Sequence, residues 1–191
     1  TPQKQWEGEA FEAAIEHRLI ELREQGIVAG QVVPFAAPAV PHTVWTLHAL
    51  IRLGATAMPY AAKSPSDHIA FVARSIHSPS HPDTWLRLTT TGTTGTPKLV
   101  DLTKTQIESS AFASKKRLGH TDEDRWLCCL PLHHIAGLSI LLRNACACAC
   151  ERRARAQALR LVHNKVHFAK RHHEPQEVGA HLRKLVAQSL L

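Results

Sequence analysis

Residues 90–98 read Thr-Thr-Gly-Thr-Thr-Gly-Thr-Pro-Lys, which puts five hydroxyls, two glycines and one ammonium group into nine positions. That is the chemistry of a phosphate clamp. Gly92 and Gly95 let the backbone turn its N–H groups toward an anion and let a phosphate approach closely. Thr90, Thr91, Thr93 and Thr94 add short hydroxyl donors, and Lys98 supplies the positive charge that a departing pyrophosphate needs. The G-x-x-x-x-G-K-[ST] phosphate loop is absent, so this is a clamp of a different kind. On composition alone the same residues also suit a plain Gly/Thr surface turn.

Two other groups could do chemistry. His133 and His134 stand side by side in Pro131-Leu-His-His-Ile-Ala-Gly137, although a histidine pair is more often a packed or surface feature than a functional one. Five cysteines are present: Cys128 and Cys129 adjacent in an apolar run, and Cys146, Cys148 and Cys150 alternating with alanine. Neither group is spaced as a disulfide framework, and no C-x-x-C cluster completes a tetrahedral metal site. The alternating cysteines read as low-complexity sequence, and no metal ligand set is assigned.

The elements around the loop follow from periodicity. Residues 9–25 place Phe11, Ala14, Ile15, Leu19 and Leu22 at helical spacing, with Gly26 as a stop. Residues 30–37 read as a short buried strand whose Pro34 suits a strand end or a sheet edge. An apolar helix follows over residues 44–53, ended by Gly54, and then a buried strand over 55–60. Helix, strand, helix, strand indicates an α/β layer, with parallel strands flanked by helices. A connection with a helical piece near residues 68–73 leads to a strand over 85–89, the loop, and a return to extended chain over 99–102. Thr103 with Gln106 makes a capping box for a helix through about Lys116. A further strand over 125–130 leads into the histidine pair and a helix over 138–143.

The string from Thr90 to Lys98 closely resembles the [ST]-[SG]-G-[ST]-T-G-x-P-K signature of the adenylate-forming (AMP-dependent synthetase and ligase) family. Leu99 stands where many members have glycine, and Thr91 where serine or glycine is commoner; neither removes a phosphate-binding group. Residues 26–34, 47–59 and 122–138 extend the resemblance, which covers roughly residues 12 to 144. Within the family, the run from Asp124 through "RWLCCLPLHHIAGLSILLR" leans toward the o-succinylbenzoate-CoA ligases of menaquinone biosynthesis. The fold implied is part of the family's N-terminal adenylation domain.

What the resemblance implies is a ligase working in two half-reactions. A carboxylate attacks the α-phosphate of Mg-ATP to give an acyl-adenylate and pyrophosphate; the thiol of coenzyme A then displaces AMP to give the thioester. ATP, Mg²⁺, coenzyme A and a carboxylic acid are the ligands expected on this basis. The loop would hold the β- and γ-phosphates and neutralise the leaving group. The histidine of the family's "PLFHxxG" motif lines the acyl pocket, a role that carries over to His134, with Gly137 of the same motif beside it; His133 sits where phenylalanine is usual. The family's later motifs, which contact adenine, magnesium, ribose and the reacting carboxylate, are not found in this sequence. No complete catalytic set is therefore assigned, and inactivity of the chain alone is expected. Retention of the fold as a non-catalytic nucleotide- or acyl-binding module, or origin in another acyl- or aryl-CoA synthetase, stands as the alternative.

The net charge of +7 belongs to the last quarter of the chain. Residues 145–191 hold nine Lys/Arg and three Asp/Glu, which leaves residues 1–144 close to neutral. That basic stretch has Phe168 as its one aromatic residue, so a nucleic-acid partner is not expected. Sequence reading therefore divides the chain into an adenylation-domain part, 1–144, and an aberrant basic tail, 145–191, whose abrupt onset a one-base frameshift would explain. A missing C-terminal portion on a second polypeptide is the corresponding expectation, and Thr1 in place of methionine suggests a fragment or a processed chain. No run approaches the roughly 20 apolar residues of a membrane span, and no apolar leader opens the sequence. The expectation is a cytoplasmic protein with no membrane partner.

Overall fold

The first helix forms where apolar residues repeat at helical spacing. In α1, Gly8–Glu24, Ile15, Leu19 and Leu22 are buried, with Phe11 packed at the edge of the same core. Gly26 follows at φ 79°, a left-handed conformation that carries little cost for glycine. These are features of a computed structural model, which describes residues 8–90, 97–119, 121, 124, 126–143 and 166–168.

Beyond α1 the chain alternates strand and helix: β1 Val32–Ala36, α2 Pro41–Leu53, β2 Thr56–Tyr60, α3 Ser66–Ser75 and β3 Thr84–Thr90. A hairpin partner, β4 Lys98–Thr103, and α4 Lys104–Leu118 follow. The sheet order is β1-β2-β3-β4. β1, β2 and β3 run parallel, as crossovers through helices require, whereas β4 returns antiparallel to β3. The mixed hairpin has a simple cause: seven residues separate Thr90 from Lys98, and a parallel crossover needs a dozen or more.

Alternation within the strands sorts the sheet's two faces. Val33, Phe35, Ala57, Leu86 and Leu88 join α1 and α2 in the main core, while Met58, Tyr60 and Val72 form a second cluster that Val32, Ala36 and Leu99 complete. With both faces covered, β2 is buried along its whole length. Pro34 lies in β1, the edge strand, where its missing N–H breaks no central ladder.

Helix ends follow the expected signals. α2 begins at Pro41, three residues before its apolar run, because proline's fixed φ suits the first helical position. Gly54, at φ 78°, closes it by returning its N–H to the carbonyls of Leu50 and Ile51. The capping box of α4 is present: Thr103 Oγ1 accepts from Gln106 N–H at 3.4 Å, and Gln106 Oε1 accepts from Thr103 N–H at 2.9 Å.

A second, two-stranded sheet pairs β5, Trp126–Cys128, in parallel with β6, Val166–Phe168. Between them a helix, α5, occupies residues 135–143 and starts three residues before the sequence places it. Its Leu138, Leu141 and Leu142, with Cys128 and Leu132, belong to the main core. Among the described residues no helix is long and apolar enough to cross a membrane.

Candidate functional site: a hairpin stem and a histidine pair

The register of β3 and β4 sets the mouth of the Thr/Gly loop. Thr90 pairs with Lys98 and Thr89 with Leu99. Residues directly opposite in an antiparallel pair present their side chains on one face, about 5 Å apart at Cβ. Thr90 and Lys98 therefore share a face and are both exposed, at the carboxyl end of β3. In open α/β sheets this is the end at which ligands bind. Thr91, Gly92, Thr93, Thr94 and Gly95 lie outside the described residues.

Thr89 and Leu99 occupy the other face, toward α3. There His68 bridges two hydroxyls, with Nδ1 3.1 Å from Ser64 Oγ and Nε2 3.1 Å from Thr89 Oγ1. A neutral imidazole has one N–H donor and one acceptor, and hydroxyls serve as either, so both bonds are satisfied in either tautomer. His68 was legible in the sequence only as part of a helical stretch.

On the same face Arg87 is 1% exposed and fully occupied. Nε and Nη2 donate to the two carboxylate oxygens of Asp101, each at 2.7 Å. Nη1 donates to the carbonyls of Ser75 and Ser78, and Nη2 also to that of Pro79. One guanidinium thus ties the end of α3 and the turn beyond it to the hairpin that carries the loop. Sequence reading missed this pair. The signal was there: a lone arginine in an otherwise apolar strand, with an acid at hairpin spacing across the loop.

The histidine pair lies ahead of α5. His134 is exposed and His133 half-buried, their ring centroids 4.2 Å apart. His134 N–H donates to Pro131 O at 3.3 Å, and its own carbonyl accepts from Gly137 and Leu138. The turn sits so close to the helix that a Cβ on Gly137 would lie 2.3 Å from Pro131 O and 2.8 Å from Leu130 O. Glycine is therefore a steric requirement here, and it sets where the two histidines stand. Burial, then the charges of His134 and His68, push the His133 pKa below its usual value, so the ring is neutral at pH 7.

Cys128 is buried, and its thiol is pushed up by desolvation and by neighbouring Cys129, against a smaller opposing effect of the Leu130 backbone. It is a packing residue rather than a nucleophile. Among the described residues no three His, Cys, Asp or Glu side chains converge as a metal site.

Comparison with known proteins matches residues 74–169 to the family model described as AMP-binding enzyme. A 55-residue segment, 29% of the chain, is 49% identical to the 2-succinylbenzoate–CoA ligase of Bacillus cytotoxicus, of which it covers 11%. The corresponding ligase of Bacillus mycoides matches to the same extent. The solved o-succinylbenzoate-CoA synthetase of Bacillus subtilis, in complex with its acyl-adenylate intermediate, shares the fold with a TM-score of 0.63 and 24% identity, over 72% of this chain and 46% of that one. In complex with ATP and magnesium the same synthetase gives 0.63 and 22% identity, over 72% and 47%. The chain thus spans less than half the length of these solved relatives.

Proposed function

Because the chain belongs to the AMP-binding enzyme family, we propose that it is part of an ATP-dependent carboxylate-CoA ligase whose acid is o-succinylbenzoate. The observation that carries the reading is the hairpin register: Thr90 and Lys98 face each other at the two ends of a Thr/Gly loop, at the carboxyl edge of a parallel sheet. The fold is that of the N-terminal part of an adenylate-forming domain. The acid is inferred from the 49% identity of one segment to 2-succinylbenzoate–CoA ligases.

In this reading a carboxylate oxygen attacks the α-phosphorus of ATP, the bond to the bridging oxygen breaks, and pyrophosphate leaves. Lys98 and the hydroxyls of Thr90, Thr91, Thr93 and Thr94, with the backbone N–H groups freed by Gly92 and Gly95, hold the β- and γ-phosphates and take up the charge that develops on them. The work is positioning and electrostatic stabilisation. Mg²⁺ would arrive on the phosphate oxygens, as is usual for a hard cation that keeps most of its waters, and would share the charge of the leaving group. In the second half-reaction the thiol sulfur of coenzyme A attacks the acyl carbonyl, its proton passes to solvent or a base, and AMP departs. His134, exposed beside the neutral His133, borders the acyl side.

Pyrophosphate exchange into ATP, driven by o-succinylbenzoate, tests the reading. The 191 residues should bind Mg-ATP and pyrophosphate, and exchange should appear only when the family's adenine- and carboxylate-contacting residues are supplied with them. Absence of binding in a folded chain would remove the phosphate clamp. Exchange with benzoate or a fatty acid in preference to o-succinylbenzoate would reassign the acid.

A further inference from the structure

We infer that His68 is a positioning residue for the phosphate loop, holding the last turn of β3 against the start of α3 through its bridge from Ser64 to Thr89. The inference rests on the proposed phosphate-binding role of residues 90–98.

Thr89 is one residue short of the loop's first hydroxyl, and its own hydroxyl points away from the loop's binding face. A side chain so placed cannot touch phosphate, yet it determines how firmly Thr90 is presented. Main-chain pairing with β4 fixes Thr89 along the hairpin, and on the other side β2 runs parallel to β3 with Ala57 opposite Leu86. The His68 bond, at 3.1 Å, adds a side-chain anchor at Thr89 itself. Its second bond, to Ser64, spans the first turn of α3, where the N-cap residue Pro65 offers no side-chain cap. One half-buried ring therefore joins the end of β3 to the start of α3.

Arg87 does comparable work two residues earlier in β3, but through backbone carbonyls at the other end of α3. The two anchors therefore hold β3 at different heights, and loss of one leaves the other in place.

Thr89→Val removes only a hydroxyl, and His68→Ala removes the ring. Each should weaken binding of inorganic pyrophosphate and of Mg-ATP to the full chain by about three- to tenfold, as expected for one buried hydrogen bond to a positioning group. The double variant should be no weaker than either single variant. His68→Gln, whose terminal amide reaches the place of Nε2, should restore affinity; His68→Asn, which reaches only the place of Nδ1, should not. A purely structural role would lower the melting midpoint of all these variants and leave pyrophosphate affinity unchanged in the folded chain, which would overturn the inference. Should His68→Ala fail to fold, Thr89→Val carries the test, and wild-type affinity in it gives the same refutation. Failure of the unaltered chain to bind pyrophosphate would overturn the phosphate-loop reading and this inference together, an outcome distinct from normal binding that the variants do not change.

Discussion

Arg87 and Asp101 stand directly opposite each other in the β3–β4 register and close a two-point ion pair, with both N···O distances 2.7 Å. Three carbonyls complete the arginine's partners, so no donor of this buried guanidinium needs water. Breaking one side of a buried pair leaves an uncompensated charge, which costs far more than the pair itself contributes. Asp101→Ala should therefore destabilise the chain by about 3–5 kcal/mol. Replacing both partners, as Arg87→Met with Asp101→Leu, should cost less than Asp101→Ala alone. Urea unfolding of the three chains checks the order.

Lys98 pairs with Thr90 but is exposed, so in the proposed phosphate-binding role its charge would serve a ligand rather than the fold. Lys98→Ala should leave the unfolding midpoint within about 0.5 kcal/mol of the parent. Pyrophosphate affinity should fall about 10- to 100-fold, the range for one charge-assisted contact. Titration calorimetry on the full chain at low and high salt separates this from general electrostatic attraction, which salt would screen.

Most of the positioning elements were legible because they rest on local signals. The i, i+4, i+7 spacing of Ile15, Leu19 and Leu22 fixes the buried face of α1, and Gly54 and the Thr103–Gln106 box mark helix ends through backbone chemistry alone. Lateral contacts were not legible. His68 meets Thr89 across 21 residues, and Arg87 reaches the carbonyls of Ser75, Ser78 and Pro79 through a turn whose path no periodicity states. The antiparallel return of β4 could have been read from the shortness of the loop. Beyond Asn144 the sequence reads as a departure from the family; the family match runs from residue 74 through 169, and Val166–Phe168 pairs with β5.

The approach of the Leu130–Pro131 turn to α5 makes Gly137 intolerant of even one methyl group. A Cβ 2.3 Å from a carbonyl oxygen forces backbone movement. Gly137→Ala should cost about 1–3 kcal/mol, as overpacking in a tight site does. It should also shift the NMR signals of His133 and His134 more than those of His17, which is remote on α1. Unshifted His134 signals would show that the turn gives way without moving the pair.

Acid should weaken the fold through His48. Its ring packs edge-on against Phe11 at 6.0 Å, and burial with a smaller contribution from nearby Arg52 pushes its pKa down to about 4. In the unfolded chain the group titrates near the ordinary 6.5, so between those values the unfolded state binds more protons than the folded one. Stability is then fully present above pH 6.5 and is lost as pH falls toward 4. The ring retains some contact with solvent, which limits the loss to about 2 kcal/mol. The lowered pKa values of His42 and His133 act in the same direction. His48→Phe should flatten this part of the pH profile, since an uncharged ring of similar width keeps the packing against Phe11 and takes up no proton. Denaturant midpoints of the parent and His48→Phe at pH 7.5, 6, 5 and 4.5 should converge at the high end and diverge below pH 6; parallel curves throughout would place the acid sensitivity on other groups.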